Sequence, residues 1–404
     1  MIRILHSVFI IWVFAFLFSC SSPETKEREA QKVGIAQPER IAEVITTVKK
    51  KDSQIPVAVQ LQPDAEFKYS TTINKKIGEF VDVPMSGVSP KSIKFKNELS
   101  QETQTFETGR YQTEINLVML RIIFDNDIFD NTDYYYTNGV RFELVLPFAG
   151  QSPVNKILLG IKSSDLGFNG FSIQQNIYTP INPETTEIEY GDRPFAAFLT
   201  IGQFRETYQL ERKLQIKSAL DLGVMGPSSM GETVQSSIHY LEPTGWEYQV
   251  QNSFLINYYI NIEKGLYSSP LLEINAVGQA NVGTLYNKLG GGLNFRLGSF
   301  MPVYRGPATS VNYIGTKQWQ YWFFMSGTTD FVAYDATLQG GLFNNKSPYV
   351  IADNELNRMI FKASAGLAVY YYRFGVELEN FYFTPEFEGA RHFMYGRIKL
   401  LANF

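Results

Sequence analysis

The residues best equipped for chemistry in this chain are few and far apart. Three histidines occur in 404 residues, and after the first segment only His239 and His392 remain. A neutral imidazole can take a proton from water or a bound hydroxyl near pH 7, which makes His239 a candidate general base. It follows a segment, Met230 to Ile238, that reads as a short helix with Gln235 and His239 one turn apart on the same face. Glu242, three residues further on, either orients the imidazole or is a solvated surface carboxylate. Far upstream, Asn126 and Asp127 offer hard oxygen atoms, the kind that Ca²⁺ prefers. An Asx-rich turn would use the same pair. Adjacent strand residues point to opposite faces, so both can ligate only if the strand has ended by then; Asp127 is the preferred ligand, and Asn126 a donor to a carbonyl or a brace for the loop. A cation held there could polarise an ester carbonyl and stabilise the developing oxyanion. Arg193, next to Asp192, can meet an anionic head group or pair with a carboxylate. His392 opens the last expected strand and is left out of the site.

These side chains need a scaffold, and the scaffold shows as a period of two. From Trp246 to Ile262 the even positions are mostly apolar, among them Tyr248, Val250, Phe254, Ile256, Tyr258 and Ile260, while Glu247, Gln249, Gln251, Ser253, Asn257 and Asn261 hold odd ones. Arg212 to Val224 repeats the pattern, with Leu214, Ile216, Leu220 and Leu222 against Lys213, Gln215, Lys217 and Asp221. One face suits lipid and the other a wet interior. The alternation predicts an all-β protein: an antiparallel transmembrane barrel over 113–404, closing on Met394, Gly396, Ile398, Leu400, Ala402 and Phe404. Twelve strands are expected, at 113–124, 135–147, 168–179, 194–206, 212–224, 246–263, 269–281, 285–298, 318–334, 358–370, 372–385 and 391–404, with a loop over 334–356. A soluble β-sandwich could show the same alternation. Gly290-Gly291-Gly292 reads as a barrel bend or close packing rather than a phosphate loop.

Composition fits this reading. Aromatics reach 15% with 24 Tyr and 31 Phe, yet the chain is polar on average and carries a net charge of −4, which gives no suggestion of nucleic-acid binding. Residues 1–19 have Arg3, an apolar stretch from Val8 to Phe18 and then Ser19, which reads as an export signal too short to span a bilayer. Leu17-Phe18-Ser19-Cys20 resembles a bacterial lipobox, with Cys20 as the acylated residue; an ordinary cleaved signal is the alternative. With Cys20 the only cysteine, no intramolecular disulfide can form. Residues 20–112 are polar, carry Lys49-Lys50-Lys51-Asp52, and lack sustained periodicity; they read as a periplasmic extension or tether.

If the barrel starts in the periplasm, connections from odd to even strands lie outside the cell. Three motif-bearing segments fall in such connections: Phe124-Asp125-Asn126-Asp127 through Thr132 to Gly139; Ile177-Tyr178-Thr179-Pro180 leading to Gly191-Asp192-Arg193-Pro194-Phe195-Ala196; and Gly223 to Pro227 leading to His239 and Gly245-Trp246. In this order they resemble the lipid A 3′-O-deacylase family, also called LpxR-like, over roughly 114–252. The resemblance implies a monomeric twelve-stranded outer-membrane barrel that requires Ca²⁺ and removes the 3′-linked acyloxyacyl group of lipid A, or lipopolysaccharide, in the outer leaflet. It implies that His239 is the catalytic histidine and that Thr137 belongs to the site as a hydrogen-bond partner of the substrate or of the activated water. The parity of Thr137 with Gly139, Arg141 and Glu143, opposite to Val140, Phe142 and Leu144, predicts an inward side chain. Gln235, Glu242 and Arg193 are the expected substrate contacts. One departure is the second outer loop, where Glu184, Glu187 and Glu189 occur with no Lys or Arg, so head-group contacts do not transfer. Another outer-membrane acyl hydrolase, such as a phospholipase, is an alternative, and so is an inactive porin-like or structural barrel.

Overall fold

The computed structural model describes residues 118–127, 134–238, 244–305 and 319–404 in full, together with the backbone of four earlier strands. Cys20, His239 and Glu242 lie outside the described residues, as does the expected signal segment. The chain divides into two units, Met1–Tyr111 and Gln112–Phe404. In the first, β1 (Phe67–Ile73) pairs with β2 (Phe80–Ser86) and β3 (Ser92–Lys96) with β4 (Thr103–Glu107), giving two antiparallel hairpins.

The second unit is one closed antiparallel barrel of twelve strands. They are β5 (Met119–Asn126), β6 (Tyr135–Val145), β7 (Leu166–Thr179), β8 (Ala196–Gln209), β9 (Leu214–Met225), β10 (Ser253–Ser268), β11 (Leu272–Gly283), β12 (Tyr286–Ser299), β13 (Trp319–Asp335), β14 (Met359–Tyr371), β15 (Phe374–Phe383) and β16 (Phe393–Asn403). Consecutive strands pair, and β16 closes on β5 from Gly396↔Asn126 to Asn403↔Met119, so no edge is left unpaired. Outward rows are apolar and exposed, as at Ile173, Ile201, Phe254, Leu289, Phe323 and Leu378. Inward rows are charged or aromatic. Arg121 bridges Glu143 at 2.9 Å and Glu206 at 2.5 Å, and Lys217 reaches Glu143 at 2.9 Å, so each buried charge has a partner. Nearer one rim, Tyr136, Tyr178, Phe198, Phe393 and Tyr395 form an aromatic plug.

The connections β5–β6, β7–β8, β9–β10, β13–β14 and β15–β16 all leave from that aromatic end, which is the loop-rich rim. One expectation needs correction. The sixth strand starts at Ser253, not Trp246, because Gly245–Tyr248 forms a 3-10 turn whose indole docks on Phe195, with ring centroids 5.1 Å apart. Alternating apolar residues in a packed loop had the same period as a strand. The first described strand begins at Met119, and residues 113–117 lie outside the description. The triple glycine packs closely: a Cβ on Gly290 would fall 1.8 Å from an Asp330 carboxylate oxygen, and one on Gly292 would fall 1.9 Å from the Gly327 carbonyl.

Candidate active site

The described residues of the expected site lie at the loop-rich rim but divide between the two sides of the wall. On β7 the outward row runs Phe171, Ile173, Gln175, Ile177, Thr179, opposite in parity to Tyr178, whose ring lies under the Arg193 guanidinium at 4.4 Å inside the barrel. Ile173 is 50% exposed, as a lipid-facing residue should be, yet Ile177 and Thr179 are 1% and 0% exposed. Protein covers this end of the outer wall.

The cover is the β9–β10 connection. Pro227–Ser229 makes a 3-10 turn, Met230 takes a left-handed conformation (φ 60°), and helix α1 (Gly231–Ile238) runs from there. The helix is seated by size and by polar anchors. A Cβ on Gly231 would lie 2.2 Å from the Ala197 methyl, so only glycine admits this approach. Ile177, Phe195, Ala197 and Trp246 form a small core, with Val234 of the helix against it. Gln175 donates to the Ser229 carbonyl at 2.6 Å, and the Trp246 indole N–H donates to Gln235 Oε1 at 2.7 Å. Gln235 is buried, and this bond turns it toward the loop's own core. His239 follows directly on the last helical residue, Ile238.

Next to the covered row of β7 lie the first-loop residues. Asn126 ends β5 and donates through Nδ2 to the Thr137 carbonyl at 3.1 Å; Asp127 is the next residue, buried, in a turn rather than a strand. The strand therefore ends at Asn126, and its alternation of faces does not govern Asp127. Thr137 departs from its expected orientation. A bulge falls between Tyr136↔Tyr178 and Asn138↔Ile177, and the Thr137 hydroxyl lies 2.7 Å from that of Thr179 on the outward row. The extra residue shifts the parity of β6 at this point, so Thr137 joins the outer wall although Gly139, Arg141 and Glu143 stay with the interior. Tyr135 two residues earlier has φ 68°, a conformation that costs about 1–3 kcal/mol and persists only where surroundings hold it. Here its hydroxyl accepts from the Arg391 N–H at 3.1 Å and its ring packs on Phe387 and Phe393.

Arg193 is not at this surface. It is buried on the lumen side, pairs with Glu386 and donates to the Thr337 hydroxyl at 2.7 Å. Burial lowers its pKa, but the Glu386 and Asp335 carboxylates with the neighbouring tyrosines together outweigh this, and the guanidinium is held above its usual value. Of the two readings of Arg193, pairing with a carboxylate is the one the structure shows. Asp192 accepts from the Ile181 N–H at 2.7 Å and closes the second loop. Glu189 in that loop has its pKa raised, first by partial burial and then by the charge of Asp192. His392 is exposed, with its ring against Tyr382. Sequence parity missed Thr179, because a threonine on a lipid-facing row carries no signal until its partner across the strands is known.

For a cation, the described donors are the Asp127 carboxylate and the Asn126 amide oxygen, hard ligands at a strand end. Among the described residues no group of three His, Cys, Asp or Glu gathers. The donor type fits that ion.

A family model described as outer membrane protein LpxR matches residues 98–404, well beyond the segment that carries the motifs. Among solved structures, LpxR from Salmonella typhimurium is 20% identical with a TM-score of 0.57, covering 71% of this chain and all of that one. The β-domain of the Bordetella autotransporter BrkA is 9% identical with a TM-score of 0.36, covering 71% of this chain and 98% of that one. No functionally curated protein matches the sequence. With the family model covering the entire barrel, this chain belongs to the LpxR family of outer-membrane β-barrel proteins.

Proposed function

We propose that this protein hydrolyses an acyl ester of lipid A, at the 3′-linked acyloxyacyl position, in the outer leaflet with its loop-rich rim facing outward. The observation that carries the reading is the buried polar row on the lipid-facing side of the wall: Asn126, Thr137 and Thr179 are buried at the rim where helix α1 lies against β7 and β8. A lipid's ester bonds lie between its head group and its chains, which is the height of a rim and the outside of a barrel. An enzyme acting on a membrane lipid needs its site on that face, whereas a solute enzyme or channel would use the lumen. In support, ion pairs and aromatic rings cross the described lumen, which disfavours the porin-like alternative.

In this mechanism His239 takes a proton from water, which then attacks the ester carbonyl. Gln235, anchored on Trp246, fixes the last turn of the helix that precedes His239. Thr137 and Asn126 offer a hydroxyl and an amide to the substrate or to the water. Asp127 and Asn126 would hold Ca²⁺, which when bound supplies Lewis-acid polarisation of the carbonyl. The acidic second loop offers no cation to phosphate, and Arg193 is spent on Glu386, so head-group recognition differs from a phosphate clamp.

Mass spectrometry of lipid A and phospholipids from membranes expressing wild type or His239→Ala, with and without chelator, tests this. Wild type should release the 3′ acyloxyacyl group, and both the substitution and the chelator should prevent it. Unchanged lipid A in every sample refutes the reading, and fatty acid lost from phospholipid instead makes the protein a phospholipase.

A further inference from the structure

The outer wall carries a second covered patch, at the opposite rim. Along β8 the outward row is bare at Ile201, 61% exposed, and closed again at Gln203 and Thr207. What closes it is the β6–β7 connection, which contains two 3-10 turns, Pro147–Gln151 and Pro153–Lys156. Four outward polar side chains beneath are engaged with its backbone. Gln203 donates to the Ala149 carbonyl at 2.9 Å, Ser218 donates to the Leu159 carbonyl at 2.7 Å, and Thr207 accepts from the Ile161 N–H at 3.0 Å. The Tyr258 hydroxyl accepts from the Leu159 N–H at 2.8 Å and donates to the Ile157 carbonyl at 3.2 Å. Polar groups on a lipid-facing row are tolerable only if satisfied in this way.

The segment uses one set of apolar side chains against the wall, with Ala149, Leu158 and Ile161 buried. It presents a second set outward: Phe148, Ile157 and Leu159 are 59%, 57% and 56% exposed. This apolar surface is continuous with the lipid belt, since the Phe148 ring lies 6.4 Å from that of Phe171 on the outward row of β7. Lys156 and Lys162 flank Ile157–Leu159 and are both exposed. Long cationic side chains beside an apolar face are suited to lie along acyl chains and end at phosphates.

We propose that residues 147–162 form an interfacial foot that docks into the phospholipid leaflet at this rim. Phe148, Ile157 and Leu159 enter the upper acyl region, and Lys156 and Lys162 meet the lipid phosphates. The foot lies under β7 to β10, the strands whose other ends meet the β9–β10 cover, and it fixes the depth at which that side of the barrel rides.

The test is Phe148→Trp and Leu159→Trp, each in the full chain, reconstituted into phosphatidylcholine and phosphatidylglycerol vesicles with chains brominated near the glycerol. Emission from the four native tryptophans is subtracted using wild type. The added tryptophan should lose at least about half its emission to the brominated lipid and resist acrylamide, as an interfacial side chain does. Ile201→Trp reports the bare belt and Phe343→Trp, on a residue 90% exposed in the β13–β14 loop, reports water. If both foot variants follow the Phe343 probe, the proposal is overturned. Should either lose heat-modifiable gel migration, and hence its fold, Ile157→Trp is read in its place by the same criteria.

Discussion

The outer wall of β7 to β10 is covered at both ends and bare between, and the two covers are built on opposite principles. At the loop-rich rim the cover is a helix packed through Val234 and Trp246 on Ile177, Phe195 and Ala197, beside a buried polar row. At the other rim the cover is irregular chain held by hydrogen bonds from Gln203, Thr207, Ser218 and Tyr258, and it turns apolar side chains outward. The first arrangement stores polar side chains out of lipid, where chemistry on a lipid ester needs them. The second consumes its polar groups and leaves an anchor. Substitutions that loosen each cover should separate accordingly, activity following the first and stability or depth following the second.

The largest effect is expected from Trp246→Ala. It removes a fully buried indole, its bond to Gln235 and its contact with Phe195, a loss of about 3–5 kcal/mol from the cover. Deacylation should fall to background while heat-modifiable migration persists, because the barrel strands are untouched. A barrel that unfolds with it would break the comparison, since the cover would then be part of the scaffold.

Thr179→Val keeps the shape at Thr137 but removes its hydroxyl partner, leaving a buried donor or acceptor that costs about 1–3 kcal/mol. Deacylation measured by mass spectrometry should drop, and Thr179→Ser should restore it. Equal loss in the serine variant would mean that the methyl, not the hydroxyl, matters. At the other cover, Thr207→Val removes the acceptor of the Ile161 N–H and should cost about 1 kcal/mol of stability in thermal unfolding, with deacylation unchanged.

The smallest effect concerns the second loop. Glu189 has a folded pKa raised by partial burial and by Asp192, so whatever stability it contributes is present below its unfolded pKa and lost as pH rises through the folded value. Glu189→Gln should therefore slow hydrogen exchange of residues 181–192 at neutral pH and change little in acid. Slower exchange in acid as well would assign the effect to hydrogen bonding rather than charge.

The legibility of the two covers in sequence was unequal. Helix α1 was expected over Met230 to Ile238 and runs Gly231–Ile238, because its residues and its position between two strands are local properties. The foot gave no signal: Phe148, Ile157 and Leu159 sit among prolines and glycines without a period, and their role appears only when the chain lies against Gln203, Thr207 and Ser218. Trp246 misled for the related reason that a packed turn can alternate like a strand.

The sequence by itself determined the barrel. A period of two depends only on neighbours along the chain, and twelve such segments, ending on an alternating strand, were countable. It also placed Asn126, Thr137, Arg193 and His239 at one rim, since strand number fixes the end of the barrel from which each connection leaves; the first three lie there, and His239 is outside the described residues. Tertiary structure alone decided the side of the wall. Side-chain direction in a strand reverses with every residue, so the bulge at Thr137 turned an expected inward threonine outward, and the Glu386 pairing drew Arg193 into the lumen. A register shift and an ion pair between residues 193 positions apart leave no local trace, yet they decide which residues face the lipid.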